Sequence, residues 1–487
     1  MRKAFEPQQR LDCCPILNVQ LNLNCRDEII PILRTLQHIY SQPKARDSIL
    51  QAIAEDVNES SDRKRGRRGL YYWEILVLAA VRLGRGLNYD ALQDLAENHR
   101  TLRYIMGIGD WEEDVSFDWR RIQDNLTKIS AETVEKINQL IVKEGHRLVP
   151  EAPEAVRADS FVAETNIHYP TESSLIRDGL RKILSLCGVM AVMLGHKGWR
   201  QHKHLHRKAK KLAGRIDRIA ARKGPGSEER RDGLYRQLLE LAETILTRAD
   251  ELRKAIADGG IVDLEILALD EELKTFMERT RHVCDTAYRR VVFDEKVPNN
   301  EKLFSIFETH TQLYKRGKVA EPVQFGRLVL VYEDDAGFIV DYHILPRESQ
   351  DCDVVVPRTR MLQERLGGRI CRVSFDRGFH SPENQRELAE IVKDPCLPMT
   401  GVKQAAEQAR EASVEFREAR QRHPGIESAI HALQAGNDLA RCRDRTEPGF
   451  KRYIGLGILG RNLHVLGKIL IAREAPTCQA AQSRRAA

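Results

Sequence analysis

The sequence predicts a mixed α/β fold with a large helical insertion, preceded by an all-α N-terminal region. Three observations carry this expectation. Apolar residues recur at three and four over the first 150 or so positions, short β-rich runs flank a long helical stretch, and the later chain reads strand, hairpin, helix, strand, helix.

The helical start rests on Ile75, Leu76, Ala79, Ala80 and Leu83, then on Ile122, Leu126 and Ile129, with Ser130 as N-cap for a helix carrying Val134, Ile137 and Ile141. Arg63-Lys-Arg-Gly-Arg-Arg68 reads as a basic hinge ahead of them. Trp73–Leu83, Gly84-Arg-Gly86 and Tyr89–Leu95 allow a helix-turn-helix for DNA, and equally a plain helical bundle that supports dimerisation. Near Val156 a strand begins and continues through Thr165-Asn-Ile-His-Tyr169. Residues 173 to about 290 return to helical spacing, with Gly224-Pro-Gly226 as a break and Ser227 as the next cap. Strands are expected at Phe325–Tyr332 and Phe338–Leu345, joined by the turn Glu333-Asp-Asp-Ala-Gly337. A helix over Asp353–Leu366 then leads to a strand ending at Asp376, and Ser381-Pro382 open another helix. The expected domains are 1–150, helical; 151–172 with 300–472, the α/β unit; 173–299, the helical insertion; and 473–487, a mobile tail.

At 487 residues the chain exceeds what one core usually serves, so two or three domains are expected. A formal charge of +7 suits a polyanionic partner only where the surplus is concentrated. It is concentrated in Arg200–Lys223, where Arg200, Lys203, Arg207, Lys208, Lys210, Lys211 and Arg215 stand among ten cations against the single acid Asp217. Phosphate neutralisation is the natural use of such a face, and a solvated helix is the bland alternative. His202, His204 and His206 alternate, which scatters them around a helix and disfavours zinc. The ten cysteines contain no C-x-x-C pair, so neither a zinc ribbon nor a disulfide framework is indicated, and a reducing cytoplasm is the simplest setting. No signal peptide or membrane span is expected. Gly455-Leu-Gly-Ile-Leu-Gly460 fits the dinucleotide fingerprint in letters, but only 27 residues (487−460) follow it, too few for the rest of that fold; the run reads as a helix on the sheet.

Three acids stand out: Asp159 in Val156-Arg-Ala-Asp-Ser-Phe-Val162, Asp376 closing Ile370-Cys-Arg-Val-Ser-Phe-Asp376, and Glu427 in Pro424-Gly-Ile-Glu-Ser-Ala-Ile-His431. Paired divalent cations need such hard oxygen donors. Gly378 allows a sharp turn after Asp376, which leaves that carboxylate at a strand's C-terminal edge. Spacing puts Glu427, His431 and Gln434 on one helical face beside an apolar stripe of Ile426, Ile430 and Leu433. Taken singly, each acid reads as a turn or surface residue. Asp334, Asp335, Asp341, Asp351 and Asp353 compete as turn and helix-start acids, and Glu415, Glu418 and Glu447 compete with Glu427.

The stretch Asp159-Ser-Phe-Val-Ala-Glu-Thr-Asn-Ile-His-Tyr-Pro-Thr-Glu-Ser-Ser174, the later Phe375-Asp-Arg-Gly-Phe379 and Arg422 ahead of Glu427 resemble DDE transposases of bacterial insertion sequences. The resemblance extends over most of residues 65–470, including Asn462-Leu463. It implies a ribonuclease-H-like catalytic core in which Asp159, Asp376 and Glu427 hold two Mg²⁺ ions, or Mn²⁺ in their place. It further implies cleavage at insertion-sequence ends, transfer of the 3′-OH into target DNA, and a homodimer on double-stranded DNA bearing terminal inverted repeats. Arg422 would contact a phosphate near the site, with neutralisation of neighbouring acids as the alternative. Related families often carry a lysine two turns after the glutamate, where this chain has Gln434. A nuclease of the same fold and a non-catalytic DNA-binding regulator are the rival readings.

Overall fold

The computed structural model describes residues 3–5, 11–59, 69–111, 115–222, 224–260, 262–315, 322–399, 401 and 404–485; the expected basic hinge at 63–68 and Lys223 lie outside them. Clustering of the chain gives two compact units: residues 1–166 with 327–487, and residues 167–326.

In the first unit, helices α1 (Ile29–Tyr40), α2 (Pro43–Glu59), α3 (Tyr72–Gly84), α4 (Tyr89–Asn98), α5 (Arg100–Met106), α6 (Trp119–Leu126) and α7 (Ala131–Leu148) precede strand β1 (Ala155–Glu164). Ser130 caps α7 as expected, its hydroxyl accepting from the Thr133 amide at 3.1 Å. Helices α8 (Glu172–Met193), α9 (His202–Ala220), α10 (Ser227–Asp258) and α11 (Leu264–Val292) build the second unit, which also holds β2 (Gln312–Tyr314). Their apolar faces share one core that includes Leu180, Ile183, Cys187, Leu238, Ile245, Leu273 and Met277. Gly179 lets α8 approach α11, since a Cβ there would stand 2.2 Å from the Thr280 hydroxyl. Ser227 is not the cap expected of it. Gly226 takes that position at φ +68°, and Ser227 is the first helical residue.

The chain then forms β3 (Gln324–Asp334) and β4 (Ile339–Ile344), α12 (Asp351–Arg365), β5 (Arg372–Ser374), α13 (Pro382–Ile391), β6 (Asp394–Cys396), α14 (Ala405–Glu411), α15 (Val414–Arg422), α16 (Gly425–His431) and α17 (Glu447–Arg485). The hairpin turn closes as its composition suggests: the Asp334 carboxylate accepts from the amides of Ala336 and Phe338 at 3.0 and 2.9 Å, and Gly337 adopts φ +88°. The resulting mixed sheet runs β4-β3-β1-β5-β6, with β2 added beside the first residues of β3. Strand β1 ends at Glu164 rather than reaching Tyr169, and short β6, Asp-Pro-Cys, takes an edge where its proline breaks no central ladder.

The helices expected as a separate N-terminal domain fall in the same compact unit as this sheet. The reason is α17, which packs against α1, α3 and α7. Its segment Glu447–Glu474 is apolar and long enough to cross a membrane by composition, yet most of it is buried inside the fold. Its last turns cover the segment expected as a tail. The three glycines of the rejected fingerprint each serve packing. A Cβ on Gly455 would stand 2.8 Å from the Tyr342 hydroxyl, one on Gly457 2.5 Å from Leu439, and one on Gly460 2.6 Å from the Gly84 Cα of α3. Beside this crossing the Arg82 guanidinium is buried, ion-paired with Asp444 at 2.7 Å and stacked 4.0 Å from the Tyr89 ring. Leaving either charge buried alone costs about 3–5 kcal/mol.

Gly460→Ala tests the crossing. Alanine favours a helix over glycine by about 1 kcal/mol, but backbone atoms of α3 cannot yield to the new methyl as a side chain would, and overpacking costs about 1–3 kcal/mol. The urea midpoint should therefore fall for Gly460→Ala and hold or rise for Gly449→Ala, whose Cβ meets nothing closer than 3.5 Å.

Candidate active site at the sheet edge

Parallel pairing of β1 with β5 sets the site. The register matches Ala155 with Arg372, Val156 with Val373 and Arg157 with Ser374. Asp159 and Asp376 each follow the last matched pair by two residues (159−157 and 376−374), so both lie at the C-terminal side of the pairing with the same parity as Arg157 and Ser374. Asp376 keeps extended backbone, at φ −80° and ψ 168°, and the Phe375 amide still donates to the Cys396 carbonyl of β6 at 3.0 Å. Gly378 follows in a short 3₁₀ turn, Arg377–Phe379, before Ser381 caps α13 through the Asn384 amide at 3.0 Å.

Asp159 is half-buried, and one of its oxygens accepts from the Ser160 amide at 2.7 Å. Asp376 is exposed, 3.5 Å from an Arg420 nitrogen on α15. Glu427 is exposed on α16, a helix that buries Ile426, Ala429 and Ile430 and packs against β1. Arg157 fixes which face α16 covers. Its guanidinium donates to the Arg422 carbonyl at 3.2 Å, and a Cβ on Gly425 would stand 2.4 Å from it. Because Arg157 and Asp159 share a face of β1, α16 begins on the face that carries Asp159. Among the described residues, however, no three His, Cys, Asp or Glu side chains lie close enough together to hold a metal ion. Carboxylates are donors for hard divalent cations, but Asp159, Asp376 and Glu427 do not form a closed three-residue group.

Glu427 and His431 keep their i, i+4 spacing within α16, but Gln434 falls beyond the regular helix. After His431 the helix widens into a π-turn, Ala432–Gly436, in which the Asn437 amide donates to the Ala432 carbonyl at 3.1 Å. The widening lets Leu433 stay buried while the chain leaves toward β1, where Glu164 and Arg441 form a parallel bridge. Gln434 is thereby rotated from its ideal position two turns after Glu427.

Four residues that sequence reasoning did not single out shape the site: Arg157, Ser374, Arg420 and His423. Buried His423 meets the Ser374 hydroxyl at 3.1 Å and so ties the α15–α16 junction to β5, two residues before Asp376. Burial, with Arg420 nearby, pushes its pKa down to about 4. Arg157 is ion-paired with buried Glu333 at 2.8 Å, and burial raises the Glu333 pKa despite that partner. Nothing in the residue types marks these four, since each acts through a partner remote in sequence. Arg422 is exposed and 3.6 Å from Asp335, which gives that competing acid a partner at the start of β1. Asp341 is also engaged, by Arg358 and Arg365 at 2.6 and 2.9 Å, and Asp334 is buried against His146 at 2.8 Å.

In the second unit, Arg200, Lys203, Arg207, Lys208, Lys210, Lys211 and Arg215 are all exposed, while α9 buries Ala209, Leu212, Ala213 and Ile216. Arg215 joins Arg218, Arg222 and Arg230 around a recess of about 500 Å³ whose lining has no acid. By contrast, α4, the second helix of the expected helix-turn-helix, presents Asp90 and Asp94 and contains no Lys or Arg, while α3 is almost wholly buried. A phosphate backbone is repelled by such a face.

The His423 environment predicts a pH dependence. Its folded pKa, about 4, lies below the ordinary 6.5, so its contribution is complete above pH 6.5 and is lost as pH falls toward 4. Thermal unfolding between pH 7 and 4 should show wild type losing on the order of 2 kcal/mol more than His423→Gln; equal losses would remove His423 from the account.

Residues 304–463 match the family model described as Transposase DDE domain, a segment that holds Asp376 and Glu427 and begins after Asp159. Comparison with curated proteins and with solved structures gives no match. The sheet-edge carboxylates and this match together mark the chain as similar to DDE transposases, and a transposase function in general is what the family supports.

Proposed function

We propose that the chain is a metal-dependent DNA transposase with a ribonuclease-H-like core, in which Asp159, Asp376 and Glu427 would hold the divalent metal. The β1–β5 register supports this reading: Asp159 and Asp376 each follow its last matched pair by two residues, in a chain whose residues 304–463 match the DDE domain. Two bound Mg²⁺ or Mn²⁺ ions would polarise the scissile phosphate and lower the pKa of an attacking hydroxyl.

Water attacks phosphorus at the element's end, the 3′ oxygen leaves as a 3′-OH, and the 5′ side keeps the phosphate. That 3′-OH then attacks a phosphodiester of target DNA, releasing a target 3′ oxygen and joining the strands. The chain's own residues serve this sequence by position. His423, held neutral, fixes the α15–α16 junction on β5. Arg420 leaves Asp376 for a non-bridging phosphate oxygen when DNA arrives, and Arg422 contacts the flanking backbone. The cationic face of α9, Arg200 to Arg215, neutralises phosphates of duplex DNA. Terminal inverted repeats and target DNA are the substrates, handled by a homodimer.

A second reading is a DNA-binding regulator that does not cut. It is favoured by the Arg420–Asp376 ion pair and by the absence, among the described residues, of a closed three-ligand group. One experiment separates the two. With Mg²⁺ and duplexes carrying the element's ends, wild type should nick and should join precleaved ends to a target plasmid. Asp159→Asn, Asp376→Asn and Glu427→Gln should each lower nicking by at least about a hundredfold, the loss of several kcal/mol of metal-centred stabilisation, while DNA affinity is retained. Asp335→Asn should cut normally. Nicking without joining would identify a nuclease, and binding without scission under any divalent ion would identify the regulator.

A further inference from the structure

A second cationic site lies in the first unit, at the opposite end of β5 from Asp376. A recess of about 750 Å³ is lined by Lys136, Lys143 and Arg147 of α7, by Val340, and by the Arg365–Arg369 turn, with no Asp or Glu in its lining. At 100° per residue, positions 136, 143 and 147 fall within a stripe about 40° wide, and their rise of 1.5 Å per residue makes a row roughly 16 Å long. Lys136 and Lys143 are exposed and have no ion-pair partner among the described residues.

The fourth cation is held in place from beneath. Asp334 is fully buried and 2.8 Å from His146 Nε2, and Arg369 donates to His146 Nδ1 at 3.2 Å. A guanidinium has no acceptor, so Nδ1 must accept and Nε2 must carry the proton that Asp334 receives. Arg369 is thereby oriented at the rim by a buried two-residue relay. Of the carboxylates nearby, Asp341 is paired with Arg358 and Arg365 and Glu144 with Arg147, while Glu135 accepts from the Gln139 amide nitrogen at 3.2 Å.

We propose that this recess binds the sugar–phosphate backbone of duplex DNA, as a contact surface separate from the active-site edge. A single phosphate could occupy one end of the row. The length of the row favours a polyanion, because a strand of duplex DNA presents one phosphate per 3.4 Å of axis, so about five phosphates lie alongside a 16 Å line of cations. The recess rests on the transposase reading only for its choice of DNA as the polyanion, and its test reads binding rather than cleavage.

The test uses the full chain and a labelled 30-base-pair duplex of arbitrary sequence, with affinity measured over a salt series for wild type and Lys136→Ala/Lys143→Ala. Losing two phosphate contacts should reduce the slope of log K against log salt by about 1.8 and weaken binding at least tenfold at low salt. Arg369→Gln should reduce the slope by about a further 0.9. Both lysines are exposed, so the double variant should keep the wild-type melting temperature. An unchanged slope in the double variant, or no salt-dependent DNA binding by wild type, overturns the proposal. So does a phosphate-induced rise in melting temperature that the double variant loses while its DNA slope stays unchanged, since the ligand is then a small anion. Cleavage-dead protein with a normal slope change would sink the catalytic reading and leave this one standing.

Discussion

Parallel pairing between β1 and β5 is the constraint on which the candidate site depends. The two acids it places at one edge are 217 positions apart (376−159), with the whole second unit between them in sequence. A parallel pair cannot be closed by a hairpin and needs a crossover; here that crossover encloses a four-helix unit as well as the β3–β4 hairpin. A one-residue slip of this register would send Asp159, together with Arg157, to the opposite face of the sheet, away from α16. The Cys371 amide, donating to the Glu154 carbonyl, extends this pairing at its start, while the Phe375 amide joins β5 to β6 through the Cys396 carbonyl.

The sheet is in turn held by α17. This helix carries glycine where it meets α3, β4 and the segment after the π-turn, so backbone approaches backbone and the apolar side chains fill the remaining space. Its Asn462 side chain accepts from the Ile339 amide at 2.8 Å and donates to the Ile339 carbonyl at 3.0 Å, which satisfies polar groups of β4 that would otherwise be buried without partners. The Asn437 side chain does the same for the Leu83 carbonyl at 3.0 Å, joining the end of α3 to the chain that leaves the π-turn. The N-terminal helices are thus part of the scaffold that supports the candidate edge.

Around the edge, the charges are arranged in compensated pairs rather than as one open carboxylate cage. Arg420 meets Asp376, Arg422 meets Asp335 and Arg157 meets Glu333. Like charges brought together without cations repel strongly, which gives a physical reason for arginines to stand beside acids in the DNA-free protein. The exposed pairs are weak and screened by salt, so exchanging them for phosphate or metal contacts costs little. The buried Arg157–Glu333 pair is different in kind: it orients the strand and the start of α16, and its geometry is fixed by burial.

Much of this was legible in the sequence where the signal is local. The Ser130 and Ser381 caps, the Asp334–Gly337 turn, the amphipathic α9 and the order of elements follow from neighbours within a few residues, because capping and turn chemistry act over that range. The sequence also ruled against a nucleotide-binding role for Gly455, Gly457 and Gly460, although only the packed structure shows which neighbours need them small. Non-local partners decided the rest. Three-residue β6 with its central proline carries no strand signal of its own and exists because β5 offers it an edge. The π-turn that displaces Gln434 comes from the demand to bury Leu433 while bringing Ala440–Cys442 to Glu164, a demand no local spacing encodes. His423, Arg157 and the Asp334–His146–Arg369 relay were equally invisible, since the meaning of each side chain lies in a partner tens or hundreds of residues away. Residue type and spacing therefore determined which groups could do chemistry here, and tertiary packing alone decided which of them meet.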